Sequence, residues 1–169
     1  DYASIMYPVV AFVIAMIFFF FFVKKIFNWK VGLLSSLFLV ILPPFLHRTM
    51  VGVSDHEALG VMFMFMALYF YVIGWNKEKI NARIGWGLLA GITTGLMGLT
   101  WGGWKLLTII LGLFMLVEFF LNKTTVLEIS QYGAWVTGFV IASTTFIPVY
   151  TIRELLTSFP TAIAFLTLF

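Results

Sequence analysis

The sequence predicts an all-α fold, a polytopic bundle of transmembrane helices, and three observations predict it. Hydrophobic residues make up 62% of the chain and charged residues 10%, whereas soluble domains carry about 45–50% and about 25%. That leaves too little polar material for a water-facing surface. Apolar runs near the roughly 20 residues needed to cross hydrocarbon recur along the whole chain, separated by short polar segments. No repeat of 20 to 50 residues and no low-complexity linker interrupts them, so the chain reads as one continuous bundle.

About seven spans follow in order. The first covers residues 4–23 and is closed by Lys24-Lys25; with no basic stretch before it, it reads as a stop-transfer span that stays in the membrane. The second, 31–46, meets Pro43-Pro44, which end a helix because proline lacks an N–H and clashes with the preceding turn. The third, 59–75, contains Met62-Phe63-Met64-Phe65-Met66, a lipid-facing or packing surface. The fourth, 84–100, carries Gly87, Gly91 and Gly95 at four-residue spacing, which lines small residues along one face and lets another helix approach closely. The tight turn Trp101-Gly102-Gly103-Trp104 leads into the fifth, 104–121, whose Lys105 and Glu118 snorkel from its two ends. The sixth is 132–150, and a last one starts near 157.

Assigning alternate loops to two sides puts Lys24, Lys25, Lys30, Lys77, Lys79, Arg83 and Lys123 on one side and Arg48, Lys105 and Arg153 on the other. The first side is therefore cytoplasmic. The same rule accounts for the net charge of +3, and nucleic acid is not expected as a partner. Segments 47–57, 100–104 and 151–157 all open on the outer, extracytoplasmic side. Asn122-Lys123-Thr124 spells a glycosylation sequon but falls on the cytoplasmic side, where it stays unmodified. The chain has no cysteine, which removes disulfides, thiolate metal sites and thiol nucleophiles from consideration. No glycine-rich phosphate loop occurs.

The chemically loaded stretch is His47 to Glu57. Two of the seven carboxylates, one of the ten Lys and Arg residues and both histidines fall within it. Polar groups at membrane depth are costly and tend to mark sites. Ser54 or Asp55 suits the N-cap of the outgoing helix, and Asp55 and Glu57 suit its first turn, where the helix dipole favours negative charge. That capping role explains the acidic start without any catalysis. The alternative is functional: Asp55 and Glu57, two apart at an irregular helix start, can face one cavity and offer hard oxygen ligands to Mg²⁺ or Mn²⁺. His56 either joins them or is a satisfied polar residue. Such a site needs at least one further ligand.

Arg48-x-x-x-Gly52-x-x-Asp55-x-Glu57 followed by an apolar helix, and then Trp101-Gly102-Gly103 at the outer end of the next helix pair, resembles the catalytic subunit of oligosaccharyltransferase, in particular the single-subunit archaeal enzymes. The approach from Gly32-Leu33-Leu34 to Leu46-His47-Arg48 is similar too. The resemblance implies a membrane-embedded glycosyltransferase of GT-C type that moves an oligosaccharide from a dolichyl phosphate or pyrophosphate carrier to asparagine in Asn-x-Ser/Thr, with a lipid-linked oligosaccharide, an acceptor protein and membrane lipids as partners. It implies that Asp55 and Glu57 form the second acidic motif, which helps hold Mn²⁺ or Mg²⁺ with His56 as a possible third ligand, and that Arg48 pairs with phosphate oxygens or steadies the acidic pair. Trp101, Arg153 and Glu154 fall on the substrate side.

Residues 1–169 then correspond to part of a transmembrane catalytic domain, with a first span and acidic loop before Asp1 and later spans and a soluble domain after Phe169. Alone, they are expected to be inactive. Ser54 stands where an aromatic residue often precedes the Asp, and His56 fills a variable slot. Thr151-Ile152-Arg153-Glu154 spells the family's Thr-Ile-x-Glu signature, but it lies only 99 positions after Asp55, too early for the loop that carries that signature. A short outer loop near the carrier's head group is the competing reading. Two other functions fit an acidic outer loop: another GT-C enzyme using a lipid-phosphate sugar, and a secondary transporter binding a cation. The transporter reading expects broken helices at the midplane and internal symmetry, and neither is evident.

Overall fold

In the computed structural model, residues 2–43 and 56–146 are described. They form six α-helices and, among the described residues, no strand: α1 Tyr2–Ile26, α2 Trp29–Ile41, α3 Glu57–Trp75, α4 Ile80–Thr100, α5 Trp104–Phe120 and α6 Val126–Phe146. Each of the first six predicted spans corresponds to one helix. The seventh lies outside the described residues. Met6–Ile26, with mean hydropathy 2.6, and Glu57–Trp75, with 1.9, are long and apolar enough to cross a membrane, and Trp29–Ile41 is a shorter apolar helix.

The punctuation between helices has local causes. Asn28 caps α2 by accepting a hydrogen bond from Val31 N–H at 3.0 Å. Past the end of α5, Asn122 adopts φ 51°, a left-handed conformation that asparagine tolerates better than most side chains. At the start of α3 the N-cap position is held by His56, which makes no side-chain capping bond. The sequence points to Ser54 or Asp55 there; both lie outside the described residues.

The helices run up and down. Ala11 and Ala15 pack with Ala58 and Met62 early in α3, and Phe18 packs edge-on against Tyr69 and Phe70 further along, so α1 lies parallel to α3. Trp86 stacks near Phe70 at one end and Gly60 meets Trp101 at the other, which makes α3 and α4 antiparallel. α4 and α6, separated in sequence by α5, are parallel and in the closest contact. A Cβ at Gly91 would stand 2.1 Å from Trp135 O, and one at Gly138 would stand 2.5 Å from Leu88 O. The predicted glycine face is thus used, and its partner is a helix with a glycine of its own. Trp135 and Tyr132, fully buried, complete the core with Met97, Leu107 and Phe139. Met62 and Phe65 of the Met/Phe run are buried against Ala11 and Ala15 of α1, which makes that run a packing surface.

This alternation sorts the charges. Among the described residues, Lys24, Lys25, Lys30, Lys77, Lys79, Arg83 and Lys123 fall at one end of the bundle. Lys105 falls at the other, with Glu57 and Trp101.

Candidate functional site

Glu57 is the first residue of α3 and is half-buried, with its Oε2 out of contact with solvent. His56, just before it, is exposed. The helix ladder starts here, since Gly60 N–H donates to His56 O at 3.2 Å. Glu57 therefore sits where the unsatisfied N–H groups of the first turn favour a carboxylate.

The structure brings Trp101 to this end of α3. Its backbone leaves the α4 helix in an extended conformation (φ −151°, ψ 135°) while its N–H still donates to Met97 O at 2.8 Å. Its side chain lies over Gly60, three residues and so about 4.5 Å of helix rise beyond Glu57. Trp104, only 2% exposed, anchors the other side of the turn, its ring 5.3 Å from that of Phe139 on α6. Of the residues singled out from the sequence, Glu57, His56 and Trp101 are thus placed at one end. Arg48, Asp55, Arg153 and Glu154 lie outside the described residues, as does His47.

Among the described residues, no group of three His, Cys, Asp or Glu side chains gathers as a metal site. The Glu57 carboxylate is a hard oxygen donor of the kind Mg²⁺ or Mn²⁺ prefers; Asp55, its expected partner, lies outside the described residues. An apolar cleft of about 460 Å³ between α1, α3 and α5, lined by Tyr71, Trp75 and Phe114, lies at the lysine-rich end and does not belong to this site.

Sequence reasoning missed one polar feature. Arg83, counted above among the loop cations, is 8% exposed and pairs with Glu128 of α6 at 2.7 Å. Its Nε donates to Lys77 O at 2.6 Å, and its guanidinium lies over Trp75. Burial pushes the Glu128 carboxyl up, but hydrogen bonds from the Thr125 hydroxyl and N–H, together with Arg83, outweigh it and hold the group below its usual value. Arg83 and Glu128 are 45 positions apart and are brought together by the parallel pairing of α4 and α6. No local motif announces such a pair.

The class that fold and site define is an all-helical bundle whose third helix opens on an acidic residue beside a tryptophan-glycine turn. The crystal structure of the Archaeoglobus fulgidus oligosaccharyltransferase, a complex with zinc and sulfate, shares this fold: TM-score 0.76 and 21% identity, over 97% of this chain and 23% of that one. The family described as Oligosaccharyl transferase STT3, N-terminal, matches residues 2–168, and the chain belongs to it. Among its relatives are the dolichyl-diphosphooligosaccharide-protein glycosyltransferase subunit STT3 of Dictyostelium discoideum, 27% identical over 72% of this chain, and dolichyl-phosphooligosaccharide-protein glycotransferase 3 of Archaeoglobus fulgidus, 26% identical over 68%. The chain spans 16% and 14% of the length of these two relatives.

Proposed function

We propose that this chain is part of the membrane-embedded catalytic domain of an oligosaccharyltransferase, which transfers an oligosaccharide from a dolichyl phosphate or pyrophosphate carrier to the side-chain amide of asparagine in Asn-x-Ser/Thr. The observation that carries the reading is the family match over residues 2–168. The placement of Glu57 and Trp101 at one end of the bundle, opposite seven of the eight described Lys and Arg residues, supports it. The helices then lie across the bilayer, with the lysine-rich end cytoplasmic and the Glu57 end extracytoplasmic.

In the reaction, the amide nitrogen forms a bond to the anomeric carbon as that carbon's bond to the phosphate oxygen breaks. The oxygen keeps the bonding pair and leaves with the phosphate, the linkage inverts, and the proton given up by the amide nitrogen passes to the released phosphate or to water. Asp55 and Glu57 orient the acceptor side, Arg48 pairs with the phosphate oxygens, and Arg153 and Glu154 lie near the carrier's head group, with Trp101 at the border. A divalent ion such as Mn²⁺ or Mg²⁺ would be held by Asp55 and Glu57, with His56 beside them. When bound, it would supply charge stabilisation for the leaving phosphate.

The test uses the full-length protein in membranes with a lipid-linked oligosaccharide, an Asn-x-Thr peptide and Mn²⁺. Glycopeptide forms with the wild type and is lost in Asp55→Ala. Transfer by Asp55→Ala at the wild-type rate overturns the assignment.

A further inference from the structure

Trp101 occupies a seat made of two glycines from different parts of the chain. On α3, a Cβ added to Gly60 would stand 2.4 Å from Trp101 Cβ and 3.1 Å from its Cγ. In the α4–α5 turn, a Cβ added to Gly103 would stand 2.4 Å from Trp101 Cζ3 and 2.5 Å from Cε3. Carbon atoms do not approach this closely without something moving, since dispersion contacts are optimal near 3.5–4.0 Å. Gly102, between Trp101 and Gly103 in the turn, has nothing beyond these two chain neighbours within 4 Å of such a Cβ. Gly60 and Gly103 are thus both demanded by the same side chain.

We propose that Trp101 is a positioning residue: wedged between Gly60 and Gly103, it fixes the first turn of α3, and Glu57 with it, against the α4–α5 turn. The wedge is firmly based. Trp101 N–H is held by Met97 O, and three residues on, Trp104 is buried against Phe139 of α6. The turn therefore ties the start of α3 to α6. A helix start frays easily because its first N–H groups have no helical partners, so a functional carboxylate there gains precision from an outside brace. The role of Glu57 in this inference rests on the transfer reaction proposed above; the bracing itself does not.

The experiment uses the full-length protein in lipid nanodiscs and has two readouts. The first is amide hydrogen exchange over residues 57–63. Gly103→Ala, a change in another helix connection, speeds exchange at the start of α3 at least fivefold, and Gly102→Ala leaves it unchanged. The second is steady-state transfer. Gly60→Ala and Gly103→Ala each lower kcat at least tenfold with KM for the lipid-linked donor within twofold, while Gly102→Ala stays within twofold of wild type in both.

A suppressor pattern separates this seat from general instability. In a Trp101→Leu background the indole atoms that Gly103→Ala would strike are gone, so that substitution costs nothing further. Gly60→Ala still meets the Cβ and keeps its full effect. Unchanged exchange at residues 57–63 in Gly103→Ala overturns the proposal. So does a rise in donor KM at constant kcat, which would make Trp101 a substrate contact. If the wild type transfers nothing, the reaction reading fails and the exchange result still decides the brace.

Discussion

Gly91→Ala tests the closest helix contact among the described residues. A methyl group at Gly91 would lie 2.1 Å from Trp135 O, 2.7 Å from Phe139 N and 3.0 Å from Gly138 Cα, all atoms of the α6 backbone or its immediate frame. Overpacking a close-packed site costs about 1–3 kcal/mol, and because backbone cannot swing aside as a side chain can, the upper end, about 3 kcal/mol, applies. Alanine recovers about 1 kcal/mol of helix propensity over glycine, which leaves a net loss of about 2 kcal/mol. Gly85, on the same helix, has nothing within 4 Å of an added Cβ, so Gly85→Ala keeps the gain and pays no clash. The two variants should therefore differ by about 3 kcal/mol in opposite directions from wild type. Reversible unfolding in mixed detergent micelles, followed by tryptophan fluorescence, measures the difference. Equal stability of the two variants would refute the claim that α4 and α6 touch through their backbones.

Further outcomes follow from the polar contacts. Arg83→Met leaves the Glu128 carboxylate without its guanidinium and costs about 3 kcal/mol, whereas Arg83→Met with Glu128→Leu recovers most of that loss; the same unfolding assay reads both. Because the folded state holds Glu128 below its ordinary carboxyl value, the pair's contribution is complete above about pH 4.5 and is lost as pH falls through the lower folded value; Glu128→Gln should flatten a melting profile taken across that acid range. Gln131 donates from Nε2 to Tyr71 O at 2.7 Å, joining α6 to α3, and Gln131→Met should cost about 1 kcal/mol, the scale of interhelical hydrogen bonds in membranes. Asn122-Lys123-Thr124 lies at the lysine-rich end and should carry no glycan when the protein is expressed in a glycosylating host, as a mobility shift on deglycosylation would check.

What the sequence made legible was periodic or local. The apolar runs located all six described helices, and the four-residue glycine spacing on α4 correctly marked a face for close approach, because both signals are written within one helix. The helix that fills this face was not read from the sequence: α6 is separated from α4 by α5, and although Ala134, Gly138 and Ala142 repeat the four-residue spacing and meet Gly87, Gly91 and Gly95, a stripe mixing alanine with one glycine stands out less than three glycines do. Arg83 looked like one more basic loop residue, since the positive-side pattern counts charges and cannot see a carboxylate 45 positions on that neutralises one. Glu57 was legible as an acidic helix start. The pairing of Gly60 with Trp101 was not, because one glycine in an apolar helix carries no sign of the side chain it accommodates. Trp101 entered as a substrate-side residue by resemblance, and its packed position between two glycines supports a bracing role for it.

The central claim is that the acidic start of α3 belongs to the machinery of oligosaccharide transfer, and Glu57→Gln addresses it with least disturbance, since shape and hydrogen-bonding capacity are nearly kept while the charge is removed. Single-turnover glycopeptide formation by the full-length protein in nanodiscs, with saturating lipid-linked donor and acceptor peptide, is the measurement. The rate should fall by about a hundredfold or more, the usual consequence of deleting one preorganised electrostatic group, while the loss of a favourable charge at the helix start costs no more than about 1 kcal/mol of stability. A Glu57→Gln protein that transfers at the wild-type rate would contradict it.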